Sequence, residues 1–443
     1  MNKSIIWLRN DLRLSDNLAI DHVAKNNHQI LFLYIQDKSL GSASKWFLHQ
    51  SLDAFKKDIY QKYQAKLIIK SGNEQDILEN LVKKYQINSI FWNRIYEPKK
   101  IQRDIKIKKY FKNYKMRNQK IAIIGAGIAG LTIANKLAAK NEVIIFDKSR
   151  GIGGRMATRR VENYHFDHGA QFFTAKSDEF KEFCQTAYQQ GIIDIWDARF
   201  CEIVDNKITR KWQFNNEENP HYVALPQMNN LCKFMAKNLD LRLKEQISKI
   251  DFRNQKWALK TIEDKVFSDF DYVILAIPSH QALNLLPENF KYLQIIKDVQ
   301  MLPCFSLMLG FKEDLDLDFD AALVKESVIS WISVNSSKKS RPENFSMLIN
   351  SSNDWAKENL EDDLELIQQK LLKQLQKIID FDQNKIDYVN IHRWRYANAK
   401  LREAEKSLFD QNLNLALCGD YFISGRVENA FLSALDLHKK ILK

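Results

Sequence analysis

A chain of 443 residues exceeds the roughly 250–300 at which a single core stops growing, so two or more domains are expected. Its 45% hydrophobic and 28% charged residues exclude a disordered or fibrous chain, and its 13 glycines fall well below the usual share of about 7%. The net charge of +12 sits at the N-terminal end, where positions 94–120 alone hold 11 bases and 2 acids.

The first 115 residues alternate short apolar runs (5–8, 30–35, 66–70, 89–93) with helical patterns, clearest at 44–63 and 74–85. Strand–helix alternation predicts an α/β domain with a doubly wound parallel sheet. A basic helix from Lys99 leads into a polar linker at 116–120, and KIAIIGAG opens a second βαβ unit. Beyond Gln171 the pattern is mixed α+β. It predicts a helix over 225–239, a hairpin around 249–267, a buried strand over 271–278 and another over 304–311. One long amphipathic helix over 354–379 follows, then a strand over 413–420 and a helix from about Val427 to Leu442. No internal repeat is present.

The five cysteines are odd in number and far apart, which argues against a disulfide framework or zinc site and for a reducing cytosol. The first apolar run is too short for a signal peptide, and the longest, 121–134, contains three glycines and is too short to span a bilayer. A cytoplasmic protein is expected, with no membrane contact.

The most specific signal is IAIIGAGIAG at 121–130. Gly125 permits a tight strand-to-helix turn, Gly127 lets backbone approach a pyrophosphate, and Gly130 allows close packing of helix on strand. The helix N-terminus then directs free N–H groups at the phosphates. Asp147 lies 22 residues beyond Gly125, at the end of the strand EVIIFD, where a carboxylate can accept both ribose hydroxyls. A turn that merely packs would leave that acid unexplained. A second cluster, SRGIGGRMATRR (149–160), supplies Gly153, Gly154 and Arg155, a residue able to neutralise a phosphate or cap a flavin. Lys148, Arg150, Arg159 and Arg160 form a basic run beside it, suited to cofactor phosphates, a phosphorylated substrate or solvent. His165 and His168 have no third ligand at metal spacing, so no metal is expected. Signatures of serine hydrolases, zincins and P-loop NTPases are missing.

GGRMATRR, DHGAQFFT (167–174), HRWRYA (392–397) and CGDYFISGRVENAFLSAL (418–435) resemble the flavoproteins with two dinucleotide-binding-type domains: amine oxidases, protoporphyrinogen oxidases and phytoene desaturases. The nearest likeness is to the renalase-like branch, over about residues 118–443. The resemblance implies a Rossmann-type FAD-binding domain built from 121–175, 266–300 and 391–443. An α+β substrate domain from 176–265 and 301–390 is interleaved with it. It further implies non-covalent FAD held by Gly125, Gly127, Ala129, Gly130, Asp147, Lys148, Gly154, Arg155, Met156, Gln171, Phe172, Asp420, Arg426, Val427 and Glu428. Asp420 would bond the ribityl or pyrophosphate region, and the N–H groups of Val427 and Glu428 would face the flavin pyrimidine. Monoamine oxidases tether FAD through a cysteine; Cys418 reads instead as a buried apolar residue. The paired aromatic cage of amine oxidases is not evident, since SGRVENAF lacks the expected tyrosine. The implied activity is hydride transfer from a reduced small organic substrate, a dihydronicotinamide dinucleotide isomer or an amine, to flavin N5, with O2 reoxidation to H2O2. Catalytic candidates are His168, Gln171 and Trp394; a hydrogen-bonded turn for His168 and core packing for Trp394 are the alternatives.

WLRNDLRLSDN (7–17), GSASKWFLHQSL (41–52) and FWNRIYEP (91–98) resemble the N-terminal α/β domain of DNA photolyases and cryptochromes, truncated after four strands and lacking the helical catalytic domain. This implies a folate or deazaflavin antenna, with Glu97 at the folate-contact position and Asn93 and Tyr96 nearby. Lesion repair is not expected without a pocket to receive a flipped-out base. The basic 94–120 segment reads as a solvated helix and linker, because stacking aromatics and a nucleic-acid motif are wanting. A light- or DNA-associated flavoprotein is the alternative reading of the whole chain.

Overall fold

The computed structural model describes residues 3–26, 28–36, 41–85, 87–114, 119–213, 217–401 and 405–442. The chain divides into two compact units, Met1–Lys115 and Met116–Lys443.

In the first unit four parallel strands, β1 (Lys3–Leu8), β2 (Gln29–Gln36), β3 (Leu67–Ser71) and β4 (Ser89–Phe91), form one sheet in the order β3-β2-β1-β4. Helices α1 (Leu18–Lys25), α2 (Ser42–Tyr63), α3 (Glu74–Tyr85) and α4 (Pro98–Tyr114) connect or follow them. The strand period of two divides the apolar runs between two faces. Ile6, Leu8, Phe32 and Tyr34 pack on Ile20, Val23, Leu52 and Phe55, whereas Ile5, Trp7, Leu33 and Ile35 pack on Leu78, Leu81 and Ile107. The doubly wound sheet is therefore as expected, with α1, capped by Asn17, added to it. Of the linker expected at 116–120, residues 116–118 lie outside the described residues, and Lys120 already belongs to a strand.

The second unit holds a six-stranded sheet and a seven-stranded sheet. In the first, β5 (Lys120–Ile124) pairs in parallel with β6 (Glu142–Asp147) and with Tyr272–Leu275, and α5 (Ile128–Ala138) joins β5 to β6. Asp240–Leu243 adds in parallel at one edge; Leu415–Cys418 and Ser407–Asp410 complete the other. One face buries Ile121, Ile123 and Ile145 against α5 and the helix Val427–Ile441. The other buries Phe146, Val273 and Leu275 against a three-stranded antiparallel sheet, Ile247–Arg253, Lys256–Thr261 and Val266–Phe270. The expected hairpin thus gains a third strand, and the chain from Asp240 onward packs with the Rossmann-type sheet, not with the substrate side to which 176–265 was assigned.

The seven-stranded sheet runs in the order Lys207–Trp212, Phe200–Val204, Ala321–Val324, Ile329–Val334, Ser346–Ser351, Met301–Phe311, Ile386–Ala399. Its last strand crosses the expected boundary at 390/391 and carries HRWRYA into this sheet, paired with Met301–Phe311. Two helices differ from expectation. The pattern over 225–239 yields a helix only from Asn230 to Ala236, because the Met228 N–H is given to Asp167 and the Asn230 side chain to the Leu225 carbonyl. The pattern over 354–379 breaks into Asn353–Glu358 and Leu364–Leu375. Asn359 caps the first by donating to the Trp355 carbonyl, and Asp363 caps the second by accepting from Glu365 and Leu366. Among the described residues, no helix is long and apolar enough to cross a membrane.

Candidate active site

The second unit encloses a cavity of about 1650 Å³, above the roughly 300–1,000 Å³ of common ligand pockets. Its walls come from the β5–α5 turn, the loop after β6, the segment 419–427 and the seven-stranded sheet.

The glycine turn is set by steric need. Gly125 has φ +111°, and a Cβ there would lie 2.5 Å from the Ala276 carbonyl oxygen. A Cβ on Gly130 would lie 1.9 Å from the Gly125 carbonyl oxygen. Gly127 differs, since nothing lies within 4 Å of its Cβ position, and it opens α5 at the cavity wall. That open cradle at a helix N-terminus suits a pyrophosphate. Asp147 lines the cavity and receives the Ala126 N–H at 2.7 Å and the Ser149 N–H at 2.8 Å, tying both loops together. Ala129, Lys148, Gly154, Met156, Arg426 and Val427 also line the cavity.

Arg155 and Asp420 line it as an ion pair, closed by two bonds of 2.8 and 2.5 Å. Both Asp420 oxygens accept from the guanidinium, so the pair straps together the two segments that carry these residues. Three other expected residues are absent from the walls. The Glu428 carboxylate turns to the Lys176 and Ser177 N–H groups, so only its position in the first helical turn relates it to the cavity. Gln171 is buried and bonded to the Asp167 and Gly169 carbonyls, Ser333 and Lys338. Phe172 packs among His221, Trp196, Phe200 and Trp331. Gln171 therefore reaches the site only through the turn that it braces. Cys418 is fully buried, with burial pushing its thiol up to about 12.

His168 and Trp394 do line the cavity, stacked with centroids 5.4 Å apart. The Trp394 indole N–H donates to the His168 carbonyl at 2.8 Å, and the Ser306 hydroxyl reaches the same oxygen at 3.1 Å. His392 completes the group, 4.4 Å from Trp394 and 5.0 Å from His168. Burial, then the neighbouring His392, then Arg159, lower the His168 imidazole to about 4; burial and Arg159 bring His392 to about 4. Both rings are neutral near pH 7, so His168 holds no extra proton to give. The Ser306 hydroxyl also lies 2.8 Å from the Asn350 amide oxygen, extending a polar floor on which His392 and Trp394 alternate along one strand.

Behind the floor lies a network absent from the expectations. Asp167, fully buried, accepts from Arg341 at 2.7 Å, Thr158 at 2.7 Å, the Met228 N–H at 3.2 Å and Lys338 at 3.4 Å. Burial alone would raise its carboxyl, but Lys338 and Arg341 outweigh burial and hold it low. Burial lowers Lys338 to about 8 against the pull of Asp167. The two cations are over 170 residues away along the chain, so the DHGAQ string gives no sign of them.

In the first unit Asn93 donates to Asp11 and Asn17 at 2.7 and 2.8 Å and accepts from the Ala19 N–H at 3.3 Å. Tyr96 is 79% exposed, and Glu97, also exposed, pairs with Lys100 at 3.0 Å. None of the three residues implied for a folate lines the first-unit cleft beside Trp7, although Lys100, the partner of Glu97, does. That cleft of about 410 Å³ also lies beside Arg9, Gln36, Asn73 and Arg103. Among the described residues no cluster has the makings of a metal site.

A Rossmann-type sheet with an open glycine cradle, joined to a second sheet that floors the same cavity, defines the FAD-dependent oxidoreductase class. The NAD(P)-binding Rossmann-like family matches residues 123–187, and the family of flavin containing amine oxidoreductases matches residues 198–436. The chain belongs to the flavin containing amine oxidoreductase family. It carries a DNA photolyase family domain ahead of it, matched over residues 4–122.

Relatives fall on both parts. The deoxyribodipyrimidine photo-lyase of Agrobacterium fabrum is 38% identical over 97 residues, 21% of this chain and 20% of that one. The 4,4'-diapophytoene desaturase (4,4'-diaponeurosporene-forming) of Staphylococcus aureus is 32% identical over 88 residues, 17% of this chain and 18% of that one. The chain spans about a fifth of the length of these curated relatives. A putative protoporphyrinogen oxidase from Exiguobacterium sp. 255-15 shares the fold with a TM-score of 0.60 at 13% identity, over 73% of this chain and 98% of its own. Wild-type putrescine oxidase bound to putrescine has a TM-score of 0.55 at 10% identity, over 73% and 99%.

Proposed function

We propose that the chain oxidises a reduced small organic substrate by hydride transfer to non-covalent FAD, with O2 as the terminal acceptor and H2O2 as product. The observation that carries this reading is the single cavity running from the Gly127 cradle to the floor of Ser306, His392 and Trp394. The α5 N-terminus, Asp147 and the Arg155–Asp420 strap would hold the dinucleotide, and the start of the Val427–Ile441 helix would face its ring system. His392, Ser306 and Asn350 offer neutral hydrogen-bonding groups to orient a substrate, while the stacked Trp394 and His168 exclude water from one side. With both imidazoles lowered to about 4 and no carboxylate on the floor among the described residues, the side chains orient a donor carbon and offer it only weak bases.

The resemblance to renalases favours dihydronicotinamide dinucleotide isomers over amines as donors. Anaerobic stopped flow with 2- or 6-dihydro-NAD(P) should bleach the flavin band in the first mixing, and admitted air should restore it with stoichiometric peroxide. A flavin that stays oxidised with these donors and with putrescine would sink the proposal.

A further inference from the structure

The charge lining the cavity is lopsided. Its walls include eight bases, Lys148, Arg150, Arg155, Arg159, Arg160, Arg393, Arg395 and Arg426, against three acids, Asp147, Glu245 and Asp420. Each acid has a partner, although the buried Glu245 Oε2 has none of its own. Asp147 holds two backbone N–H groups, Asp420 is closed on Arg155, and Glu245 pairs with Lys265 at 2.9 Å. Glu245 also belongs to the Asp147 end, since its N–H donates to the Asp147 carbonyl. Two bases beside the floor are neutralised or turned away: Arg395 pairs with Glu361, and Arg393 donates to the Asp362 carbonyl. Arg159 is not neutralised. It lines the cavity, donates to the neutral Asn390 amide at 2.7 Å, and has no carboxylate partner among the described residues. Its bond to Asn390 ties it to the strand that carries His392 and Trp394, and its charge acts on both His168 and His392. A protonated amine entering there meets a guanidinium and no counter-ion; an anionic oxygen group meets a donor fork it can bridge.

We propose that Arg159 is a specificity-determining residue that binds the acidic group, carboxylate or phosphate, of an anionic substrate and turns protonated amines away from the floor. This deepens the oxidoreductase reading and rests on the same cavity.

The test uses the FAD-loaded full chain in its oxidised form, titrated near neutral pH with benzoate, phenyl phosphate and benzylamine. Binding is read from the shift in the flavin visible spectrum and by equilibrium dialysis. At least one anion is expected to bind about tenfold or more tightly than benzylamine. R159Q should remove that advantage by a similar factor with flavin content unchanged, and R159K should retain part of it. A tighter or equal benzylamine affinity, or no binding by either anion, overturns the proposal, and this wild-type comparison stands even if R159Q fails to fold. Loss of FAD from R159Q would overturn it too, by giving Arg159 to the cofactor. The two anions distinguish a carboxylate from a phosphate group. No turnover is involved, so anion binding in a protein whose flavin no donor reduces would remove the redox reading and leave this one standing.

Discussion

Asp167 carries two cations, Lys338 and Arg341, on one carboxylate with no exposed side-chain surface among the three. Removing one partner of such a cluster leaves uncompensated buried charge, at a cost of about 3–5 kcal/mol. Asp167→Asn should therefore lower unfolding free energy by about that amount in chemical denaturation, and Asp167→Asn with Lys338→Met should recover part of the loss. The effect would reach catalysis because the next residue, His168, supplies the carbonyl that Trp394 and Ser306 hold. In the first unit, similar reasoning separates neighbouring residues. Asn93→Ala breaks three bonds between the loop after β4 and the segment 11–19 and should cost about 1–3 kcal/mol. Glu97→Ala removes a surface pair and should change stability by under about 0.5 kcal/mol, as measured by urea midpoints.

The β5–α5 turn separates a glycine kept for packing from one kept for a ligand. Gly125→Ala forces a Cβ to 2.5 Å from backbone oxygen at a positive φ and should destabilise the folded protein outright. Gly127→Ala meets open space at an ordinary φ of −85°, so apo stability should stay within about 0.5 kcal/mol while FAD affinity, read by fluorescence of released flavin, falls at least about tenfold. Equal loss of stability in both variants would contradict the cradle. This turn could be read from the amino acids because its constraints are local: strand, glycines, helix and placed acid lie within about one βαβ unit. Helices failed where polar side chains competed for backbone, as at Asn359 and Asp363. The strand Ile386–Ala399 escaped notice because its mostly half-buried positions lack a clean apolar alternation. The Asp167 network is a product of topology, and no spacing in one chain announces it.

Buried neutral histidines set the acid response of the molecule. His168, His221 and His392 are each lowered to about 4, with burial the first cause, from an ordinary value near 6.5. Between those values the unfolded chain binds protons that the folded chain does not, so stability rises with pH across the window and falls as pH drops through it. The melting temperature should decline as pH goes from about 7 to about 4.5, and a His392→Asn variant should show a shallower decline. A flat or rising melting temperature over that range would contradict neutral burial of these rings. The sheet order has a further consequence, in the time the chain takes to be made. The strands of the first unit come from one contiguous stretch, complete once about a quarter of the chain has been synthesised. The six-stranded sheet cannot close in the same way, because Leu415–Cys418 sits inside it, between Tyr272–Leu275 and Ser407–Asp410. Until Leu415–Cys418 has been made, Tyr272–Leu275 keeps one edge unpaired, and its four apolar residues are open to wrong partners.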